Sequence, residues 1–216
     1  MSPPGWLAAA ALTGFASAGI FSSVLHWPRS GFVLVHAIAV GLFLFAFVRK
    51  TGIRPTIQLR RRWPSGVLGG VVIGAVLARS VAAQPASAHP EGSALVQGLF
   101  WLGIVYGVAD ALLLSVVPVA VVYGTRSREE MRTVSARIRW TGVALLASLG
   151  VAAAYHVGFA EFRGASLIQP LIGNGLITLS YLLTGSPLAP ILAHAIMHSA
   201  AVFHGMETTS QLPPHY

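Results

Sequence analysis

The chain contains no cysteine, which excludes disulfides, thiolate metal sites and a cysteine nucleophile. Charge is almost as scarce: 9% of the 216 residues are charged, against about a quarter in an ordinary soluble domain. So few charges cannot clothe a surface that faces water on all sides. With 55% hydrophobic residues and a mean hydropathy of +0.71, the composition is that of an integral membrane protein. Residues 1–5 (MSPPG) carry no basic residue ahead of the first apolar segment. That segment therefore reads as a retained helix, although Ala16, Ser17 and Ala18 mimic a cleavage site. No lipidation motif is evident.

What the chain has instead is long apolar runs. Seven segments, about 6–25, 31–48, 66–84, 94–123, 140–159, 165–183 and 188–204, predict an all-α, polytopic transmembrane helical bundle. Each crossing and its loop takes about 30 residues, so residues 1–216 form a single membrane domain. The fourth segment is longer than a bilayer requires and contains Pro118. It is expected to tilt, kink or split in two, which makes eight spans the alternative to seven.

The net charge of +8 is concentrated rather than spread. Arg49, Lys50, Arg54, Arg60, Arg61 and Arg62 lie between the second and third segments, and Arg126, Arg128, Arg132, Arg137 and Arg139 follow the fourth. These are 11 of the 14 basic residues, in two loops separated by an even number of crossings. Basic loops stay on the cytoplasmic side, which predicts a plasma-membrane protein with its N-terminus inside and its C-terminus outside. Their place beside apolar segments suits anionic lipid, so the expected partner is the bilayer and not nucleic acid. Glu129 and Glu130 are expected to pair with the arginines around them, and Glu161 with Arg163.

Against this background a few polar residues inside the spans stand out. Asp110 is the single acidic residue within any segment, where a charge costs about 2.5–3.5 kcal/mol on insertion scales. Tyr106, one helical turn earlier, shares its face. In the last segment His194 and His198 are four residues apart and point nearly the same way. Such a pair can bind a metal, donate hydrogen bonds to an oxyanion, or satisfy contacts in the bundle core. His156, near the outer end of the fifth segment beside Tyr155, reads alone as an interfacial residue. With Asp110 and the pair it makes one acid and three imidazoles on three late spans, a set able to activate water in a dry pocket.

His26, His36, His89 and His215 share no spacing with that set and read as loop or interfacial residues, and His204 lies off the face of the pair. Pro170, Gly173 and Gly175 weaken the sixth helix and are expected to allow a close backbone approach, with Asn174 making a helix–helix hydrogen bond.

Residues 172–205 (IGNGLITLSYLLTGSPLAPILAHAIMHSAAVFHG) resemble the C-terminal half of the CPBP intramembrane proteases, the CAAX prenyl endopeptidase type II and bacteriocin-processing relatives. The resemblance is best over 150–205 and includes the separation of His156 from His194. Three motifs mark that family: a glutamate pair followed by arginine, a histidine after an aromatic, and a histidine followed four residues on by asparagine or aspartate. By resemblance His156 takes the second, His194 and His198 the third, and Asp110 the place of the glutamate pair. Histidine at 198, alanine at 152 and the lone acid at 110 depart from the pattern.

The resemblance implies a membrane hydrolase that acts on a membrane-associated peptide or protein and needs no cofactor, with Asp110, His156, His194 and His198 as catalytic residues. The same four residues read alternatively as a zinc or iron site, whose bound metal serves catalysis or transport. A third reading is a scaffold that kept the bundle and lost the chemistry.

Overall fold

A computed structural model describes residues 1–53, 59–124, 126–127, 129–130, 132–207 and 210–213. Arg54 and Arg128 of the basic loops, and His215, lie outside the described residues. The fold is all-α. Six helices are long and apolar enough to cross a membrane: α1 (Pro3–Val24), α2 (Arg29–Thr51), α3 (Trp63–Ala82), α4 (Gly92–Gly124), α5 (Val134–Gly158) and α6 (Gly164–Thr184). A seventh, α7 (Leu188–His204), is shorter, 17 residues. Their outward side chains, Leu12, Leu68, Leu146 and Leu183 among them, are exposed and apolar, as helices bathed in lipid require.

Local sequence explains where the helices begin and end. Prolines occupy the first turn of α1 and of α3, where no backbone N–H is needed. At the end of α2, Gly52 adopts φ 68° and its N–H returns to the Val48 carbonyl, with Arg49 and Lys50 in the negative last turn. The Thr133 hydroxyl caps α5 by accepting from the Ala136 N–H. Between α4 and α5, Ser127 and Glu130 cap one another's backbone N–H groups at 3.1 and 2.8 Å, and Arg126 sits 3.4 Å from Glu130. The Ser127 backbone N–H holds the Glu130 carboxyl below the usual range, helped by the Ser127 hydroxyl and Arg126. Glu161 and Arg163 do not pair as expected. Arg163 donates to the Val157 carbonyl instead, closing the turn after α5.

The fourth segment neither splits nor breaks: α4 is a single 33-residue helical element. Pro118 offers no N–H to the turn before it, and the helix widens to π-type turns over Ala111–Val116, as it also does over Leu99–Val105. Among the described residues the fourth segment thus supplies one long helix and not two, giving six helices of spanning length and the shorter α7. In α4, 78% of the most apolar stretch is buried, against 28–33% in the other five long helices, so it is the axis around which the rest pack.

Close approach comes from glycines other than those expected. No neighbour lies within 4 Å of a Cβ built on Gly173, and Gly175 meets only a leucine side chain at 3.7 Å. Crowded glycines line α3 and α4 where they face α7, and Gly158 of α5 is as tight against Ala18 of α1. A Cβ on Gly70 would lie 2.7 Å from the Leu192 Cβ, and one on Gly107 would lie 3.0 Å from the backbone N and Cα of Ala195. Gly66, Gly70 and Gly74 repeat every four residues, the small-residue spacing that lets helix backbones touch in lipid. Gly107→Ala is expected to force α7 outward and cost about 1–3 kcal/mol, the usual range for overpacking. Thermal unfolding in detergent followed by circular dichroism measures it, and an unchanged midpoint would contradict this account of the α4–α7 contact.

Deeper in the bundle, α4, α5 and α6 are tied by hydroxyls. The Ser148 hydroxyl donates to the Leu114 carbonyl at 2.6 Å, and Asn174 Nδ2 donates to Ser148 at 3.0 Å. Thr178 lies 2.7 Å from Ser148 and 2.9 Å from Ser115. Asn174 thus makes the interhelical hydrogen bond expected of it.

Candidate functional site

Asp110 occupies the α-helical stretch of α4 between its two π-type segments, and the central position of α4 buries it to 3% exposure. A carboxyl at that depth needs partners, and the bundle supplies them from both sides. From α2 comes His36, whose Nε2 lies 3.1 Å from Asp110 Oδ1. From α7 comes His198, whose Nε2 lies 3.6 Å from Oδ2.

His36 is completely buried, so its reading as a loop or interfacial residue is wrong. Its Nδ1 lies 2.9 Å from the Ser17 hydroxyl, itself 2.9 Å from the Gly14 carbonyl. Two proton placements satisfy this chain. Either the Ser17 hydroxyl donates to Nδ1 and Nε2–H donates to Asp110, or Ser17 donates to Gly14, Nδ1–H donates to Ser17, and Nε2 shares one further proton with the carboxyl. In both, Oδ1 is occupied and Oδ2 is left for the other side. Phe32 stacks on the imidazole at 5.6 Å, and Tyr155 lies 5.2 Å away. Tyr155 is fully buried rather than interfacial, with its hydroxyl 2.7 Å from that of Tyr106.

The spacing of four does what the sequence implied for α7. The rings of His194 and His198 are stacked, 5.6 Å apart with planes at 24°, and both are buried. None of their four ring nitrogens has a hydrogen-bond partner. Buried polar atoms are nearly always satisfied, and His198 Nε2 has only its 3.6 Å ion-pair contact with Asp110 Oδ2, so these two adjacent rings point to a ligand. One ligand atom from each of Asp110, His194 and His198 can be chosen so that all lie within 4.8 Å of one another. The group could hold a metal ion. Donors around a tetrahedral zinc stand about 3.4 Å apart, close to the 3.6 Å between Asp110 Oδ2 and His198 Nε2, and a modest closure of His194 would complete the set.

His156 stands apart from this trio. Its Nδ1 lies 2.8 Å from the Ala152 carbonyl, one turn back in α5, which makes Nδ1–H the donor and leaves Nε2 as the ring's acceptor. It joins the other three in lining one cavity of about 610 Å³. The walls of that cavity come from α3, α4, α6 and α7, with Phe159 and Phe162 beyond His156. His204, by contrast, makes a structural bond to the Gln84 carbonyl at 2.8 Å, and His89 lies in an exposed loop.

Three of the four residues singled out in the sequence are thus brought together, and the fourth shares their cavity. His36 was missed because it lies 74 residues from its carboxyl partner and no spacing along one helix reveals it. A usable signal existed. A lone acid in a membrane span requires a partner, and His36 is a histidine in the middle of another span. Compared with protein-family models, with curated proteins and with solved structures, the chain matches none.

Proposed function

We propose that this membrane protein is a hydrolase of CPBP-like chemistry that cleaves a membrane-associated peptide. The observation that carries the reading is a buried carboxylate beside two buried imidazoles that make no hydrogen bond, on the wall of a cavity large enough for a ligand. With Oδ1 held by His36, Asp110 Oδ2 takes a proton from water as the water oxygen attacks the scissile carbonyl carbon. N–H groups of His194 and His198 donate to the oxyanion that forms. Collapse of the tetrahedral intermediate breaks the C–N bond, and the proton on Asp110 passes to the leaving nitrogen. His156, with Nε2 free to accept, assists from the opposite wall.

The test is hydrolysis of a quenched fluorescent peptide by purified protein in nanodiscs. His194→Ala and His198→Ala are expected to lower the rate by about 10²–10³ each, the usual loss for an oxyanion donor. Cleavage at the unaltered rate by both variants would overturn the assignment.

A second reading is favoured by the donor set itself, one carboxylate and two imidazoles, which suits zinc or iron. When bound, such an ion would supply Lewis-acid chemistry at the same cavity. Elemental analysis is expected to find about one metal ion per chain under this reading, and removal by chelator should then lower the unfolding temperature. No metal in the purified protein, and none taken up on addition of zinc, would eliminate it.

The two basic stretches, Arg49 to Arg62 and Arg126 to Arg139, support a placement in the plasma membrane with both on the cytoplasmic side, which puts the N-terminus inside and the far end of α7 outside.

A further inference from the structure

Where the cavity meets the end of the bundle, a piece of the chain is already inside it. Residues Ser210, Gln211, Leu212 and Pro213, which follow α7, line the same cavity as Asp110, His194 and His198. Leu212 is 3% exposed and packs with the main apolar core. Burial of Leu212 and Pro213 is unusual for a short stretch without helical structure, whose backbone groups have no ladder of their own to satisfy them.

Side chains from two helix ends satisfy two of them, and a third holds a side chain of the segment. Gln84, just past α3, accepts from the Ser210 backbone N–H through Oε1 at 3.2 Å, and its Nε2 donates to Gln211 Oε1 at 2.9 Å. Arg29, the first residue of α2, donates through Nε to the Pro213 carbonyl at 2.6 Å. Gln169, near the start of α6, donates to the Ser210 hydroxyl at 3.2 Å. The first contact of Gln84 and the contact of Arg29 address main-chain atoms, which every polypeptide offers. The apolar seat of Leu212 reads a particular side chain, and the polar contacts to Ser210 and Gln211 read two more.

We propose that Arg29 and Gln84 form a clamp for the main chain of an extended polypeptide, with Gln169 holding a hydroxyl beside it, and that Ser210–Pro213 occupies it in place of an external peptide with an apolar residue at the Leu212 position. The proposal deepens the peptidase reading and rests on it for the class of ligand. Because the occupant is tethered, its effective concentration at the clamp is on the order of millimolar, so an external peptide of ordinary affinity competes poorly until the segment leaves.

The probe is a capped, fluorescent Ser-Gln-Leu-Pro-Pro peptide, with binding followed by anisotropy in nanodiscs. Two forms release the segment: the full chain with Leu212→Asp, and a chain ending at Glu207. Either is expected to bind at least about tenfold more tightly than the unaltered chain, in line with the loss of a tethered competitor. Adding Arg29→Ala or Gln84→Ala to the Leu212→Asp chain should reverse the gain.

The absence of native cysteine supplies a second measurement on the full-length chain. Leu212→Cys should be protected from maleimide and become reactive when the peptide is in excess. Equal peptide affinity in the unaltered and released chains, or maleimide labelling at the rate of an exposed cysteine, overturns the clamp. Peptide binding that survives Asp110→Asn, with no cleavage by the released Leu212→Asp chain, leaves the clamp standing and removes the hydrolase. Cleavage with a segment that is never displaced does the reverse.

Discussion

Asp110→Asn is expected to reduce peptide hydrolysis by about 10²–10⁴, the span covered by a single general acid–base group, while the helical content of the protein is retained. Asparagine has nearly the shape of aspartate, and its carbonyl oxygen can still accept from His36 Nε2–H in the place of Oδ1. The amide facing His198 cannot take a proton from water. The substitution therefore separates proton transfer from packing, which deletion to alanine would not. The check is the turnover rate of the purified variant beside its circular dichroism spectrum. Full activity would mean that some other group takes the proton, or that no such step occurs.

His36→Phe is the larger effect on stability. Phenylalanine can fill the slot between Phe32 and Tyr155, but it leaves Asp110 Oδ1 without its partner at the center of the bundle. Breaking a buried pair from one side costs about 3–5 kcal/mol, because the charge left behind is uncompensated. The double variant His36→Phe with Asp110→Leu removes both halves, and most of the lost stability should return. Chemical denaturation of the four proteins, unaltered, two single and one double, gives the coupling directly. A single His36→Phe variant as stable as the unaltered chain would show that the 3.1 Å contact carries no weight.

The helices were legible because hydrophobic run length and lipid thickness are linked by simple geometry. The segment read as 188–204 coincides with α7, and that read as 94–123 lies within α4. Pro118 misled only in the number of helices, since a π-type turn absorbs the missing N–H and no run of residues announces such a turn. Within the site, the periodic part was legible: His194 and His198 share a face because the helix repeat requires it. The tertiary part was not. His36 joins Asp110 because α2 and α4 are adjacent, and Gly107 matters because α7 leans on it, and neither adjacency is written in local spacing. The fold and the trio around Asp110 thus follow from pattern plus one contact that only the packing reveals.

The glycines described on α3 and α4 give the cavity two unlike jaws. The jaw bearing His194 and His198 is fixed, since any added carbon at Gly70 or Gly107 collides with α7. The opposing jaw, on α6, has an empty place at Gly173, which lines the cavity yet meets nothing within 4 Å of an added Cβ. Growth at residue 173 can therefore narrow what the cavity admits while the imidazoles keep their gauge.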